Sequence, residues 1–200
     1  MRAVTRLALW LAALLVALGA AVAAGGALLP RAHQVSSEVV IARPRDEVWP
    51  VVRDLGSLAR WWPDVDASSR VGHASGAERW RQVFNGMELT IEIVDDRPPH
   101  RLVTRIVAPE GAMTGGMWIY ELRAEDGATR VRLTEDGWVA PWPLRTIVWL
   151  SGYEASIDSY LTSLARHFGQ HATPLHQGAP PPPSSPQPET GPNPESAPVR

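Results

Sequence analysis

Residues 152–169, "GYEASIDSYLTSLARHFG", place Tyr153, Ile157, Tyr160, Leu161, Leu164 and Phe168 at helical spacing, so that one apolar stripe runs down an α-helix. Ser, Thr, Asp and Arg fill the opposite face, and Gly169 supplies a C-terminal stop. A stripe of that width needs a broad apolar surface to lie on. The residues before it, "WVAPWPLRTIVWL" (138–150), are more apolar than the first half of a solvated helix requires, and Gly152 marks a bend between the two halves.

The broad surface lies upstream. From Val65 to Val139 the period changes from 3.6 to 2 and turn signals recur at regular intervals, the pattern of an antiparallel meander. "ERWRQVF" sets Trp80, Gln82 and Phe84 on one face, and "MELTIEIV" sets Met87, Leu89, Ile91 and Ile93 inward. In "RLVTRIV" the inward set is Leu102, Thr104 and Ile106, in "MWIYEL" it is Trp118, Tyr120 and Leu122, and in "TRVRLTEDGWV" it includes Val131 and Leu133. Each strand has one apolar and one wet face. Ahead of the meander, "HQVSSEVVIA" (33–42) reads as a first strand.

Between that strand and the meander, "RPRDEVWPVVRDLGSLARWWPDV" (43–65) reads as two short helices. Pro44 suits a helix start, Asp46 and Glu47 complement the dipole there, and Pro50 should kink or shorten the first helix. Trp49 and Trp61 are expected to pack these helices against the sheet and close one end of it, and Trp62, before Pro63, to cover the helix end; the alternative is that they line the mouth of a cavity, since indole buries a large area and keeps one N–H for a polar partner.

The two ends differ from this middle. Leu7 to Leu29 is a run of twenty-three residues without a charge, or ~35 Å of helix at ~1.5 Å per residue against a hydrocarbon core of ~30 Å. It reads as a single-pass membrane anchor, with Arg2 and Arg6 at its inner end and the domain outside the cytoplasm. A cleaved secretory signal is the alternative, because "AVAAGG" offers small residues for processing. His171 to Arg200 holds ten prolines and little to bury, so it is expected to be a disordered tail, either a spacer or a peptide for a proline-reading protein partner. The domain boundaries are therefore 1–30, 31–170 and 171–200.

All nineteen basic residues are Arg, the net charge is -2, and no basic face points to nucleic acid. The absence of cysteine excludes disulfides, thiolate metal sites and cysteine nucleophiles. His73 and His100 fall in turns, and His167 with His171 has metal-pair spacing broken by Gly169. Glu78, Glu121, Glu135 and Asp136 read as solvated carboxylates at strand ends or outward positions, and no Ser, His and acid grouping is recognisable. No catalytic group, metal or cofactor is expected.

The order strand, two short helices, meander, amphipathic helix, together with "VVIARPRDEVWPVVRDLGSLARWWPDV", "DDRPPHRLV", "GGMWIYEL", "TRVRLTEDGWV" and "GYEASIDSYLTSLARHF", resembles the polyketide cyclase/dehydrase and lipid-transport superfamily, also called SRPBCC. The resemblance spans roughly His33 to Gln170, with Pro50, the anchor and the tail as departures. It implies an α+β, START-like helix-grip fold, in which a curved antiparallel sheet wraps around a long C-terminal helix with a cavity between them. The family hosts unrelated activities, so function must come from the site.

The residues then expected to line a ligand cavity are Trp80, Gln82, Phe84, Leu89, Ile91, Leu102, Thr104, Ile106, Trp118, Tyr120, Tyr153 and Ile157. Trp142 and Trp149 are expected at the membrane interface, where indole is favoured. The leading reading is membrane-anchored binding of a hydrophobic small molecule or lipid. The alternatives are a cyclase- or dehydratase-type enzyme on a polyketide-like substrate, and a non-catalytic interaction module whose cavity is filled.

Overall fold

The computed structural model describes residues 2–72 and 76–177. The N-terminal helix α1 (Arg2–Leu28) precedes strand β1 (Ala32–Ile41), helix α2 (Arg45–Arg53), a single 3-10 turn (Leu55–Ser57) and the short helix α3 (Leu58–Trp61). Six strands follow: β2 (Val65–Val71), β3 (Arg79–Phe84), β4 (Met87–Arg97), β5 (Arg101–Ile106), β6 (Thr114–Glu125) and β7 (Ala128–Val139). Helices α4 (Trp142–Ser151) and α5 (Ala155–His167) and a short strand β8 (Leu175–Gln177) complete the chain. All pairings are antiparallel in one sheet of order β2-β3-β4-β5-β6-β7-β1-β8.

The stripe read on residues 152–169 forms from Ile157 onward and leaves Tyr153 out. Ile157, Tyr160, Leu161 and Leu164 are fully buried on α5 and join one core with Val39, Ile41, Leu102, Leu122, Val131 and Leu133 of the sheet. The bend read at Gly152 is a complete break. Gly152 has φ 83, a left-handed conformation that favours glycine, and it separates α4 from α5. Only α5 grips the sheet. Pro50 stands within α2 on its exposed side, and the helix ends three residues later. The structured chain also continues past the expected boundary at 170. Leu175–Gln177 pair with Glu38–Ser36, and His176 Nε2 lies 2.7 Å from Asp158 Oδ2 of α5. The rest of the Pro-rich segment, 178–200, and His73 lie outside the described residues.

The register puts several strand ends at one edge of the sheet. Ala32 pairs with Trp138 and Thr114 with Val139, so β1 and β6 begin where β7 ends; Ile106 pairs with Ile91, which brings in the end of β5 and the start of β4. This is also where α1 arrives, and we call it the α1 end. One guanidinium ties it together. Arg145 of α4 donates from Nη1 to Leu29 O (3.2 Å), from Nε to Val139 O (2.9 Å) and from Nη2 to Ala140 O (2.8 Å). Beside it Gly26 is buried, and a Cβ there would sit 1.8 Å from the Trp142 carbonyl oxygen. Only glycine lets α1 and α4 approach this closely.

The outer face of the sheet carries cross-strand ion pairs. Glu92 on β4 stands between Arg79 Nε (2.7 Å) and Arg105 Nη2 (2.6 Å), directly opposite it on β3 and β5. The hydrogen bond from Arg79, seconded by Arg105, holds the Glu92 carboxyl below its ordinary value of 4.5 against the opposing effect of burial. A carboxyl depressed in the folded state stabilises fully above its unfolded pKa, and the gain is lost as pH falls through the folded value. Stability is therefore expected to hold down to roughly pH 5 and then fall. Chemical denaturation of Glu92→Gln across pH should give a lower neutral plateau and a shallower acid limb.

Candidate functional site

The cavity forms because α5 covers only part of the concave face. Leu102, Leu122, Val131 and Leu133 are filled in beneath the helix, whereas the half of the sheet at the α1 end stands clear of it. The space left is ≈ 190 Å³. Its sheet wall is Gln82, Phe84, Met87, Leu89, Ile91, Thr104, Ile106, Trp118 and Tyr120; Leu55, Leu58 and Trp62 close one side, and Ser156 contributes from the start of α5. Met87 is 46% exposed and marks the mouth.

Aromatic rings supply much of the lining. Trp62 lies 5.3 Å from Phe84 and 5.6 Å from Trp118, and Tyr160 packs edge-on beneath it at 5.2 Å. Such edge contacts suit the ring quadrupoles. Trp62 Nε1 donates to Ser159 Oγ at 3.2 Å, and Ser159 donates to Asp64 at 2.6 Å. Burial pushes the Tyr120 phenol well above its ordinary range, although its hydrogen bond with Thr104 opposes this. Tyr120 is therefore a neutral phenol throughout the physiological pH range.

One carboxylate enters this lining. Glu135 accepts from Trp118 Nε1 (3.2 Å) and Ser156 Oγ (2.9 Å) on Oε2, while His33 Nε2 lies 3.3 Å from Oε1. The His33 ring stacks on Tyr153 with centroids 4.4 Å apart. Ser, His and acid thus do come together, but with the acid between the other two. A nucleophilic serine needs the histidine in that place, so this is no acyl-transfer triad.

The sequence matches the family described as polyketide cyclase / dehydrase and lipid transport over residues 32–169. The chain belongs to this family. Among proteins of curated function none matches it significantly. Solved structures of the same fold include the Zhui aromatase/cyclase from Streptomyces sp. R1128, which is 17% identical with a TM-score of 0.57 over 69% of this chain and 94% of that one. A START superfamily protein from Mycobacterium smegmatis is 12% identical, with a TM-score of 0.51 over 68% of this chain and 99% of that one. A protein from Thermobifida fusca, solved in solution, is 24% identical, with a TM-score of 0.53 over 70% and 97%. The family core accordingly runs from β1 to the end of α5, and α1 and the Pro-rich segment lie outside it.

Of the residues expected to line the family's cavity, Gln82, Phe84, Leu89, Ile91, Thr104, Ile106, Trp118 and Tyr120 are brought together around it. Four stand elsewhere. Trp80 packs on Gly56 and donates Nε1 to Glu78 at 2.9 Å, beyond the cavity rim. Leu102 and Ile157 are fully buried where α5 meets the sheet. Tyr153 falls in the turn after Gly152 and stacks on His33.

Eight residues line the cavity without being among those expected: Leu55, Leu58, Met87, Thr114, Gly116 and Ser156, together with Trp62 and Glu135. Trp62, expected as a helix-end cover, is 3% exposed and lines the cavity. Glu135, read as solvated, points inward, and its phase with Val131 and Leu133 was the available signal. Glu78 too is engaged, by Arg53 of α2 at 2.7 Å. That hydrogen bond, ahead of one from Trp80, holds its carboxyl below the ordinary value.

Proposed function

We propose that this family member is a membrane-anchored domain that binds a hydrophobic small molecule or lipid in the cavity behind Met87. The observation that carries the reading is the unfilled, aromatic-walled space itself. An engineered apolar cavity of ~150 Å³ holds a benzene-sized guest, whereas full ligand pockets commonly run to ~300–1,000 Å³. A space of ≈ 190 Å³ therefore suits one ring or a short length of chain, with the remainder of the ligand leaving through the mouth. The same open space weighs against an interaction module with a filled cavity.

Retention of α1 as an anchor with the domain outside the cytoplasm is part of the proposal. Thr5–Leu28 is 24 residues of helix long and apolar enough to cross a membrane. The hydrogen bond from Thr146 Oγ1 of α4 to Val22 O supports retention, because cleavage after Ala23 or later in "AVAAGG" removes it.

A reaction of the cyclase or dehydratase kind is the second reading, favoured by one observation: Glu135 and the Tyr120 phenol share the cavity wall. A carboxylate can take a proton and a phenol can polarise a carbonyl oxygen.

Native mass spectrometry of the full chain released from detergent is expected to show a co-purifying lipophile. Leu89→Trp, which fills the cavity from its wall, should lower its occupancy about tenfold or more, a difference of ~1.4 kcal/mol per decade, while leaving thermal stability intact. No bound lipophile in the wild type, together with no binding of a polyene fatty-acid probe, sinks the proposal.

A further inference from the structure

Helix α4 leaves its apolar side chains in the open although it is packed against α1. Trp142 is 47% exposed, Ile147 56%, Trp149 54% and Leu150 68%. Its covered face is made instead of Thr146 and the Trp142 backbone. Thr146 Oγ1 donates to Val22 O at 2.8 Å, and Gly26 lies against the Trp142 carbonyl. The one charged side chain of α4, Arg145, is turned away from solvent onto three backbone carbonyls. A helix that hides its polar groups and shows its apolar ones is built for an apolar surrounding.

The pairing also fixes direction and depth. Gly26 lies against both the Trp142 carbonyl and Thr146 Oγ1, and Thr146 Oγ1 also reaches Val22 O, so α4 crosses the last two turns of α1. About 20 residues cross a hydrocarbon core, which Leu7 to Gly26 supply. Gly26 then falls at the hydrocarbon boundary and Val22, at ~1.5 Å per residue, about 6 Å inside it, so Thr146, which touches both, sits within that depth. Interfacial helices bury their apolar face to a depth of ~5–10 Å.

The cavity is next to this helix. Ser156, in its lining, follows the α4–α5 turn, and Met87 at the mouth and Met113, 58% exposed, belong to the same α1 end. We infer that α4 is a second membrane element, seated in the bilayer interface beside the anchor, and that the cavity mouth opens onto the lipid surface. This rests on α1 being a retained span. The occupant of the exposed face is the bilayer, because the face is continuous with the apolar surface of α1.

The chain has no cysteine, so a single introduced cysteine carries a nitroxide label at one place only. The full chain in phosphatidylcholine vesicles is labelled in turn as Leu14→Cys, Met87→Cys, Trp149→Cys, Leu150→Cys and Val40→Cys, the last at the far end of β1. Collisions with dissolved oxygen should outnumber those with an aqueous nickel chelate at 14, 149 and 150, become comparable at 87, and reverse at 40. Oxygen-dominated collisions at 14 with nickel-dominated ones at 149 and 150 overturn the inference and leave the anchor standing. Nickel dominance at 14 as well overturns the anchor and the inference with it. Shelter from both reagents at 149 and 150 means that a protein covers α4, and also overturns it. A label at 87 as open to nickel as that at 40 turns the mouth away from the membrane.

Discussion

Replacing Trp62 with alanine is expected to cost the domain about 3–5 kcal/mol, the usual loss for a large aromatic cut from a packed core. The indole is 3% exposed, touches Phe84, Trp118 and Tyr160, and holds Ser159 through its N–H. Those contacts join α3, the sheet and α5 at one point. A loss of that size is a large part of the ~5–15 kcal/mol by which domains are stable at all. Urea denaturation in detergent, followed by near-ultraviolet circular dichroism, measures it. Trp62→Phe keeps most of the ring area and gives up the hydrogen bond, so its cost should stay near ~0.5–1.5 kcal/mol. Equal, small losses in both variants mean that Trp62 is a loose cover and not a junction.

The second large effect is expected at Glu135. Glu135→Leu removes the acceptor shared by Trp118 Nε1 and Ser156 Oγ and the partner of His33. A fully buried donor left unpaired costs about 1–3 kcal/mol; these bonds are half-buried, so the combined destabilisation should fall within that range and still exceed that of an ordinary surface change. Glu135→Gln keeps an oxygen for Trp118 and Ser156 and gives up only the charge, so it should unfold close to the wild type. The Gln variant also separates the two functional readings. Under the binding reading its occupancy by a neutral lipophile stays within a few-fold of the wild type. A turnover that vanishes in Glu135→Gln while binding persists moves the assignment to the enzyme.

The strand faces were legible because side-chain alternation is an all-or-none signal. Leu89, Ile91, Thr104, Ile106, Trp118 and Tyr120 share a face whichever way the sheet is finally curved. Height along a strand is not encoded in that way. Leu102 and Ile106 have the same phase on β5, yet one is sealed under α5 and the other borders the cavity, and only the seating of the helix separates them. Glu135 was missed because its residue type was given more weight than its phase. Its half-buried, inward position is tolerable because three side chains arrive from β1, β6 and α5, none adjacent in sequence. Tyr153 was misplaced by the break at Gly152, which takes it off the helical stripe. The contact of Gly26 with α4 joins segments more than a hundred residues apart, and local pattern carries no trace of it.

The short strand β8 bears on how copies of this protein meet one another. Without it, the outer side of β1 is a bare row of amide and carbonyl groups, the kind of edge on which a second sheet can dock. β8 occupies the row at Ser36–Glu38, and the Gln170 side chain takes the Ala42 N–H at 3.1 Å. The opposite edge, β2, is broken by a register shift between Val65 and Ala67, which spoils its match to a straight strand. Under the proposed anchoring by α1, copies held in one plane meet edge to edge far more often than molecules tumbling in three dimensions. With both margins of its sheet interrupted, this domain can be crowded in that plane without zippering to its neighbours.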